Sequence, residues 1–155
     1  MIPKTRSLAR PRFELSLRLR HPRLDPQEIS AALRLWPSVA WRRGEAKRTP
    51  TGKPLPGVYD ASYWSCELAR PRSMGLADLL RKSVAELESC ADFLKRLRAT
   101  GGSAGFLIGW LAGSSAGTLL DSLLLSKLAE LQLDLFLEPR SPAPGPSPAV
   151  ASDDA

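Results

Sequence analysis

Nucleophilic catalysis would need His21, the single histidine, together with one of the two cysteines, Cys66 and Cys90. Pairs of this kind form in space, so sequence spacing leaves both combinations open. Cys66 alternates with Trp64 and Leu68 in an apolar pattern, however, and Cys90 lies beside the apolar stripe of a predicted helix. We therefore expect two small, buried, reduced cysteines rather than a disulfide or a reactive thiol. His21 is predicted to be a surface residue that closes a strand.

The spacing of the acidic residues, cysteines and glycines gives little support for a metal site or a phosphate-binding loop. The chain has no HxxxH, CxxC or DxD pattern, and Glu86 and Glu88 are two apart on a predicted helix, so they point in different directions. The glycines from Gly101 to Gly105 precede a strand, whereas a phosphate-binding loop follows one. The segment Gly109–Gly117 follows a strand but lacks the lysine of a Walker loop. The sequence predicts no metal, no cofactor and no catalytic residues.

The strongest remaining feature is a basic and aromatic segment in the front half of the chain. Residues 1–54 contain thirteen Lys or Arg and four Asp or Glu, a balance of +9 within a total of +6. Arginines interleaved with rings can stack on bases and hold phosphates, or meet an acidic protein surface. Biased coding composition would give the same excess, since sixteen of the 22 cations are Arg. The candidate interaction surface comprises Trp36, Trp41, Arg42, Arg43, Glu45, Lys47, Arg48 and Lys53.

Hydrophobic periodicity predicts the elements that must position these residues. Asp25 followed by Pro26 indicates a helix start, and Thr100-Gly101-Gly102 marks the end of a long amphipathic helix. A polar loop is predicted over Gly44–Gly57, where Arg42 or Arg43 could pair with Glu45 or Glu67. The predicted strands are 13–20, 39–42, 58–68, 105–111 and 133–138, and the predicted helices are 26–35, 76–98 and 123–131, the last with Asp121 or Ser122 as its cap.

This order, β-α-β-β-α-β-α-β, predicts an α+β fold. Its first six elements suit a ferredoxin-like βαββαβ core, with an added αβ unit and a mainly antiparallel sheet packed by helices. We expect a disordered basic N-terminus over 1–12, a single domain over 13–138 and a Pro-rich disordered tail over 139–155. No export signal and no apolar run of about 20 residues is visible, which favours a cytoplasmic protein that does not enter the membrane.

Several strings in the sequence resemble one family. They are Leu35-Trp36-Pro37, Trp41-Arg42-Arg43-Gly44-Glu45, Gly57-Val58-Tyr59, Phe106-Leu107-Ile108-Gly109-Trp110 and Leu128-Ala129-Glu130-Leu131-Gln132-Leu133-Asp134-Leu135. Together they resemble the domain-of-unknown-function family numbered 4279, from about Phe13 to Glu138. The resemblance implies a small bacterial intracellular protein with no established activity and no catalytic residues to transfer.

The chain departs from that family pattern at two positions. Tyr59 stands where Trp is usual, and Phe136 stands where we expect an acid. If Phe136 faces solvent, it adds to an exposed apolar patch. Some family members look like immunity proteins that neutralise secreted toxins, which supplies one analogy for function.

Three hypotheses follow for function. The first is a non-enzymatic protein-interaction module, immunity-like in one form, that binds through the basic loop 42–57 and the neighbouring sheet surface. The alternatives are nucleic-acid binding through residues 36–53, which is possible but not favoured, and an enzyme with an unrecognised site. We expect an unknown protein partner and a monomer or weak homodimer, because the leucines of 119–125 lie on more than one side of their predicted helix.

Overall fold

The computed structural model describes residues 13–69, 73–111 and 117–141, with the side chain of residue 111 excepted. The predicted N-terminal tail, residues 112–116 of the segment Gly109–Gly117 and residues 142–155 of the predicted C-terminal tail lie outside these ranges. The last strand runs through Pro139 and Arg140, so ordered structure continues two residues beyond the predicted end of the domain. Within the described ranges, no helix is long and apolar enough to cross a membrane.

The described residues form an α+β fold, as the sequence predicts, with a mixed sheet that is mostly antiparallel. A five-stranded sheet and a separate two-stranded hairpin are joined by α-helices and one 3₁₀ turn. In chain order the elements are β1 (Phe13–His21), α1 (Pro26–Leu33), β2 (Val39–Trp41), β3 (Ala46–Arg48), β4 (Pro54–Val58), β5 (Ser62–Glu67), α2 (Leu76–Leu87), the 3₁₀ turn (Glu88–Cys90), α3 (Ala91–Ala99), β6 (Ser103–Leu111), α4 (Ser122–Glu130) and β7 (Asp134–Arg140).

The five strands lie in the order β2-β5-β1-β6-β7. The central strand β1 pairs antiparallel with β5 and β6, β2 pairs antiparallel with β5, and β7 pairs parallel with β6. In this register Arg18 stands opposite Ser65 on one side and Gly105 on the other. Because side chains alternate along a strand, the even-numbered residues of β1 share one face of the sheet and the odd-numbered residues share the other.

The odd-numbered face of β1 forms the core with the helices. Trp64 is 0% exposed, and its Nε1 donates a hydrogen bond to Ser30 Oγ at 2.9 Å, which satisfies the buried indole. Asp25 and Asp121 cap α1 and α4 by accepting from backbone N–H groups, as the sequence predicts. The buried core residues include Phe13, Leu15, Leu17, Leu19, Ile29, Leu80, Val84, Leu94, Phe106, Ile108, Leu124 and Leu128.

The predicted polar loop over 44–57 is wrong, because the segment forms the hairpin β3–β4. Gly52 adopts a positive φ of 87° at the reversal, where its N–H donates to Thr49 O and the N–H of Lys53 donates to Thr49 Oγ1. Pro54 and Pro56 suggested a loop, but proline is tolerated on a strand with a free edge. The predicted third strand, 58–68, is consequently divided between the end of β4 and β5.

The predicted helix over 76–98 is interrupted at a 3₁₀ turn. Ser89 Oγ donates to Glu86 O at 3.2 Å at this break, an example of a side chain competing for a helix carbonyl. The apolar stripe survives the interruption, since Leu87 and Leu94 are both buried. Periodicity therefore identified most of the buried residues although the helix is not continuous; it missed Leu79, which is also buried.

Candidate interaction site on the open face of the sheet

The open face is the side of the five-stranded sheet opposite the helical core. Its side chains come from the even-numbered residues of β1 and from the residues in register with them on the neighbouring strands. Whereas the core face is apolar and buried, these side chains are largely half-buried or exposed. The open face carries Glu14, Ser16, Arg18, Arg20, Val39, Trp41, Tyr63, Ser65, Glu67, Ser103, Leu107, Asp134, Phe136, Glu138 and Arg140.

A stack of three rings borders one side of the open face. The ring of Trp41 lies between those of Tyr59 and Tyr63, with centroids 4.4 Å apart in each pair and interplanar angles of 15° and 21°. The hairpin positions Tyr59, because its N–H donates to Glu45 O and its carbonyl accepts from Gly44 N. Both faces of the Trp41 indole are therefore occupied by tyrosines.

Arg18 lies at the centre of the open face in a depression. Its two cross-strand neighbours are Ser65 and Gly105. The Arg18 Nε atom is buried and has no hydrogen-bond partner among the described residues. A buried donor without an acceptor costs about 1–3 kcal/mol, so this side chain carries an energetic cost that the fold does not relieve.

Two hollows meet at Arg18. One, of about 480 Å³, extends along β1 and β5 toward Glu14 and Glu67. The other, of about 620 Å³, extends toward the hairpin and β7, where Lys47 and Phe136 line it. Arg18, Trp41, Tyr63 and Leu107 line both hollows. We call the second hollow, together with Arg18, the Arg18 depression.

The other arginines of the open face are paired. Arg20 forms an ion pair with Asp60 at 3.2 Å, and Arg140 forms ion pairs with Glu14 at 2.9 Å and with Glu138 at 3.5 Å. These neighbours neutralise one another, but no ion pair of Arg18 exists within the described ranges. Among the arginines of this face, Arg18 is thus the one that no carboxylate of the described residues neutralises.

The structure divides the sequence-predicted surface between several places. Trp41 and Lys47 line the Arg18 depression. Arg42 pairs with Asp25 at 2.6 Å, rather than with Glu45 or Glu67 as we considered from the sequence. Trp36 is 87% exposed and lines a separate groove beside α1.

The remaining predicted residues surround the hairpin. Glu45 and Arg48 line a hollow between β2 and the hairpin. The N–H of Arg43 donates to Ser62 Oγ at 3.1 Å, and the side chain of Lys53 is exposed near the turn. These contacts hold the hairpin in position, and through it Tyr59.

Sequence reasoning missed three of the residues that shape the depression, whereas it named Phe136 as a residue that adds to an apolar patch if exposed. Arg18, Tyr63 and Leu107 belong to three adjacent strands, and Phe136 is 52% exposed on the fourth, β7. The alternation of β1 places Arg18 opposite the core, which was a usable signal. Its neighbours could be identified only from the strand order, because they lie far apart in the sequence.

His21 is buried, not a surface residue as predicted from the sequence. The N–H groups of Arg23 and Leu24 donate to its Nδ1 at 3.0 and 2.8 Å. Because Nδ1 accepts twice, the neutral ring carries its proton on Nε2, which lies 2.9 Å from Thr100 Oγ1. Burial, followed by the positive charge of Arg23, lowers the pKa of His21 below its ordinary value. The imidazole therefore ties the end of β1 to the end of α3.

The cysteines also serve the fold. Cys66 is buried, and burial together with the charge of Glu67 raises the pKa of its thiol, which disfavours the thiolate. Cys90 is half-buried and donates from Sγ to Ala32 O at 3.4 Å. Among the residues that the structure describes, no three His, Cys, Asp or Glu side chains form a group suited to a metal ion.

A family model described as a domain of unknown function (DUF4279) matches residues 11–139. This match covers most of the chain and all of the sheet except Arg140, the last residue of β7. It confirms the resemblance found in the sequence. No curated protein and no solved structure matches the chain.

Proposed function

Since this chain belongs to the DUF4279 family, a domain of unknown function, we propose its function from its surface: it is a non-enzymatic interaction module that binds another protein through the open face. The observation that carries this proposal is the buried Nε of Arg18 without a hydrogen-bond partner, between apolar and aromatic side chains. Binding energy concentrates in such central, partly desolvated contacts, for which arginine and aromatic residues are enriched.

We infer further that the sheet is built on a ferredoxin-like core. The order β2-β5-β1-β6 and the antiparallel pairing of each neighbouring pair support this arrangement. The unit α4–β7 then extends the sheet by a parallel strand. Such an arrangement leaves one face of the sheet to meet partners, and β7 widens that face by contributing Phe136, Glu138 and Arg140.

Two observations favour a protein partner over nucleic acid: the faces of the Trp41 ring are occupied, and two arginines of the open face are already paired. The Trp41 indole has a tyrosine against each face, which leaves neither face of that indole free for a base to stack on. Arg20 and Arg140 are already paired with carboxylates, whereas nucleic acid is bound through several free cations. Charge complementarity to an acidic partner, as in immunity-like neutralisation, needs only the few free cations that remain.

The enzymatic alternative has little support in the same contacts. His21 uses its ring nitrogens in hydrogen bonds that end β1, and the Cys66 thiol is buried. Neither group lines the hollows of the open face. Cytoplasmic location and a monomeric or weakly dimeric state stay predictions from the sequence.

A site-specific photocrosslinker tests the proposal. Phe136 and Leu137 are adjacent on β7, are 52% and 70% exposed, and point to opposite faces of the sheet. We replace each in turn by benzoylphenylalanine in the native host, irradiate, and treat the lysate with nuclease. We expect one dominant protein adduct from position 136 and none from position 137.

Adducts that nuclease removes would assign the open face to nucleic acid instead. Equal protein adducts from both positions would indicate collisions without a defined interface. Either result would overturn the proposal. The two variants carry the same probe on the same edge strand, so expression and photochemistry are matched between them.

A further inference from the structure

We infer that the Arg18 depression binds a single carboxylate flanked by apolar groups, such as a Glu or Asp side chain within an otherwise apolar segment of the partner. This inference rests on the proposed function, because it specifies the chemistry by which the open face recognises its protein. It commits the open face to one kind of occupant, an acidic and apolar peptide segment.

The first argument is the hydrogen-bonding capacity of Arg18. A guanidinium has five N–H donors in a planar fork, and its two terminal Nη groups can donate in parallel to the two oxygens of a carboxylate. The Nε atom is buried without a partner, and the terminal Nη groups form no ion pair in the described part of the chain. An entering carboxylate supplies the acceptor that the fold does not.

The second argument is the composition of the walls. Trp41, Tyr59 and Tyr63 border one side of the depression, and Leu107 and Phe136 border the other. A hollow of about 620 Å³ is larger than one carboxyl group, so apolar atoms of the occupant would contact these walls. Those contacts remove water from the Arg18–carboxylate pair, which strengthens it.

The third argument concerns the amount of charge. Within this hollow, Arg20 is paired with Asp60, which leaves Arg18 at the floor and Lys47 near the hairpin. One central guanidinium matches the single charge of a carboxylate. A phosphate group brings close to two charges and three acceptor oxygens, for which the floor of the hollow offers too few donors. Lys47 then contributes mainly to the approach of an acidic segment.

Short peptides test the site directly. The probe is Ac-Leu-Glu-Leu-amide, its matched control is Ac-Leu-Gln-Leu-amide, and a third peptide carries phosphoserine at the centre. Titrations of ¹⁵N-labelled protein follow the Nε–H resonance of Arg18 and give the dissociation constants. We expect the Glu peptide to shift that resonance and to bind at least tenfold more tightly than the Gln peptide.

Two charge-matched variants refine the test. Arg18→Gln removes the central guanidinium, and Arg96→Gln removes an equal charge from the exposed surface of α3, outside the open face. We expect Arg18→Gln to abolish the tenfold preference for Glu and Arg96→Gln to retain it. Equal binding of the Glu and Gln peptides to the unmodified protein would overturn the inference. Tighter binding of the phosphoserine peptide than of the Glu peptide would overturn it in favour of a phosphate site.

The outcomes for this site and for the interaction function are separable. If position 136 still crosslinks one protein but the Glu peptide shows no preference, the carboxylate site is overturned and the interaction function stands. If the Glu peptide binds through Arg18 but no protein crosslinks, the interaction function is overturned and the carboxylate site stands for another kind of ligand.

Discussion

The core face and the open face differ in whether their buried polar side chains are hydrogen-bonded. His21 and Arg18 are three residues apart on β1 and point to opposite sides of the sheet. His21 is 7% exposed and each of its ring nitrogens is hydrogen-bonded, to backbone N–H groups and to Thr100. Arg18 has a buried Nε that is bonded to nothing in the described ranges. The polar groups of His21 are satisfied by the fold itself, whereas Arg18 retains a donor that the fold leaves unpaired.

The largest contrast is expected between two tryptophans. Trp64→Ala should lower the free energy of unfolding by about 4 kcal/mol, because it empties a fully buried site and leaves Ser30 without its partner. Trp41→Ala should cost about 2 kcal/mol, because Trp41 is half-buried and loses mainly its two ring contacts. Urea denaturation measures both values. Equal losses would show that the open face is as tightly packed as the core.

Removal of the His21 imidazole should cause the next largest loss of stability. His21→Ala leaves the N–H groups of Arg23 and Leu24 without an acceptor, so we expect a loss of about 3 kcal/mol. Pro22→Ala, at the exposed neighbouring position, serves as the control and should change stability by less than about 0.5 kcal/mol. A loss below about 1 kcal/mol for His21→Ala would mean that water replaces the imidazole and that His21 is not a structural link.

Replacement of Arg18 should raise the free energy of unfolding, whereas replacement of His21 lowers it. Arg18→Met keeps the length of the stem and removes the unpartnered donor, so we expect the protein to gain about 1 kcal/mol of stability. Arg20→Met, on the same strand and face but with an exposed ion pair, should change stability by less than about 0.5 kcal/mol. Destabilisation by Arg18→Met would show that the guanidinium serves the fold, and the contrast with His21 would disappear.

The smallest expected effect is the pH dependence from His21. Because the pKa of the folded state lies below the ordinary value of 6.5, the unfolded state binds the proton more readily. The contribution of His21 to stability is therefore complete above pH 6.5 and declines as pH falls from 6.5 through the folded-state pKa. Urea midpoints at pH 7.5 and 5.5 should differ more for the unmodified protein than for His21→Gln. The chain has one histidine, which makes the attribution direct. An unchanged difference in His21→Gln would contradict it.

The order of these effects bears on the proposed function. Variants of the core face should lose stability and retain peptide binding in proportion to the folded fraction. Arg18→Met should gain stability and lose the preference for the Glu peptide. A side chain whose removal stabilises the fold and weakens binding is present for the ligand, because the fold alone would not retain it.

Short-range patterns in the sequence were sufficient to predict the buried face of β1, two helix starts and the family. The alternation of Phe13, Leu15, Leu17 and Leu19 identified the buried face of β1, and all four are buried. Asp25 and Asp121 marked helix starts because capping depends on neighbours two or three residues away. The family resemblance also came from short strings, and the match over 11–139 confirms it.

What the tertiary structure alone decided is which residues meet across strands. Nothing near Arg18 in the sequence indicates that Ser65 and Gly105 stand beside it, or that Trp41, Leu107 and Phe136 lie around it. Nor does the local sequence show that His21 finds Thr100, 79 residues away. Side-chain periodicity is a property of one segment, whereas burial and hydrogen bonding of a polar group depend on pairing between distant segments. The sequence by itself therefore determined which residues form the core, and the strand order decided which polar residue was left for a partner.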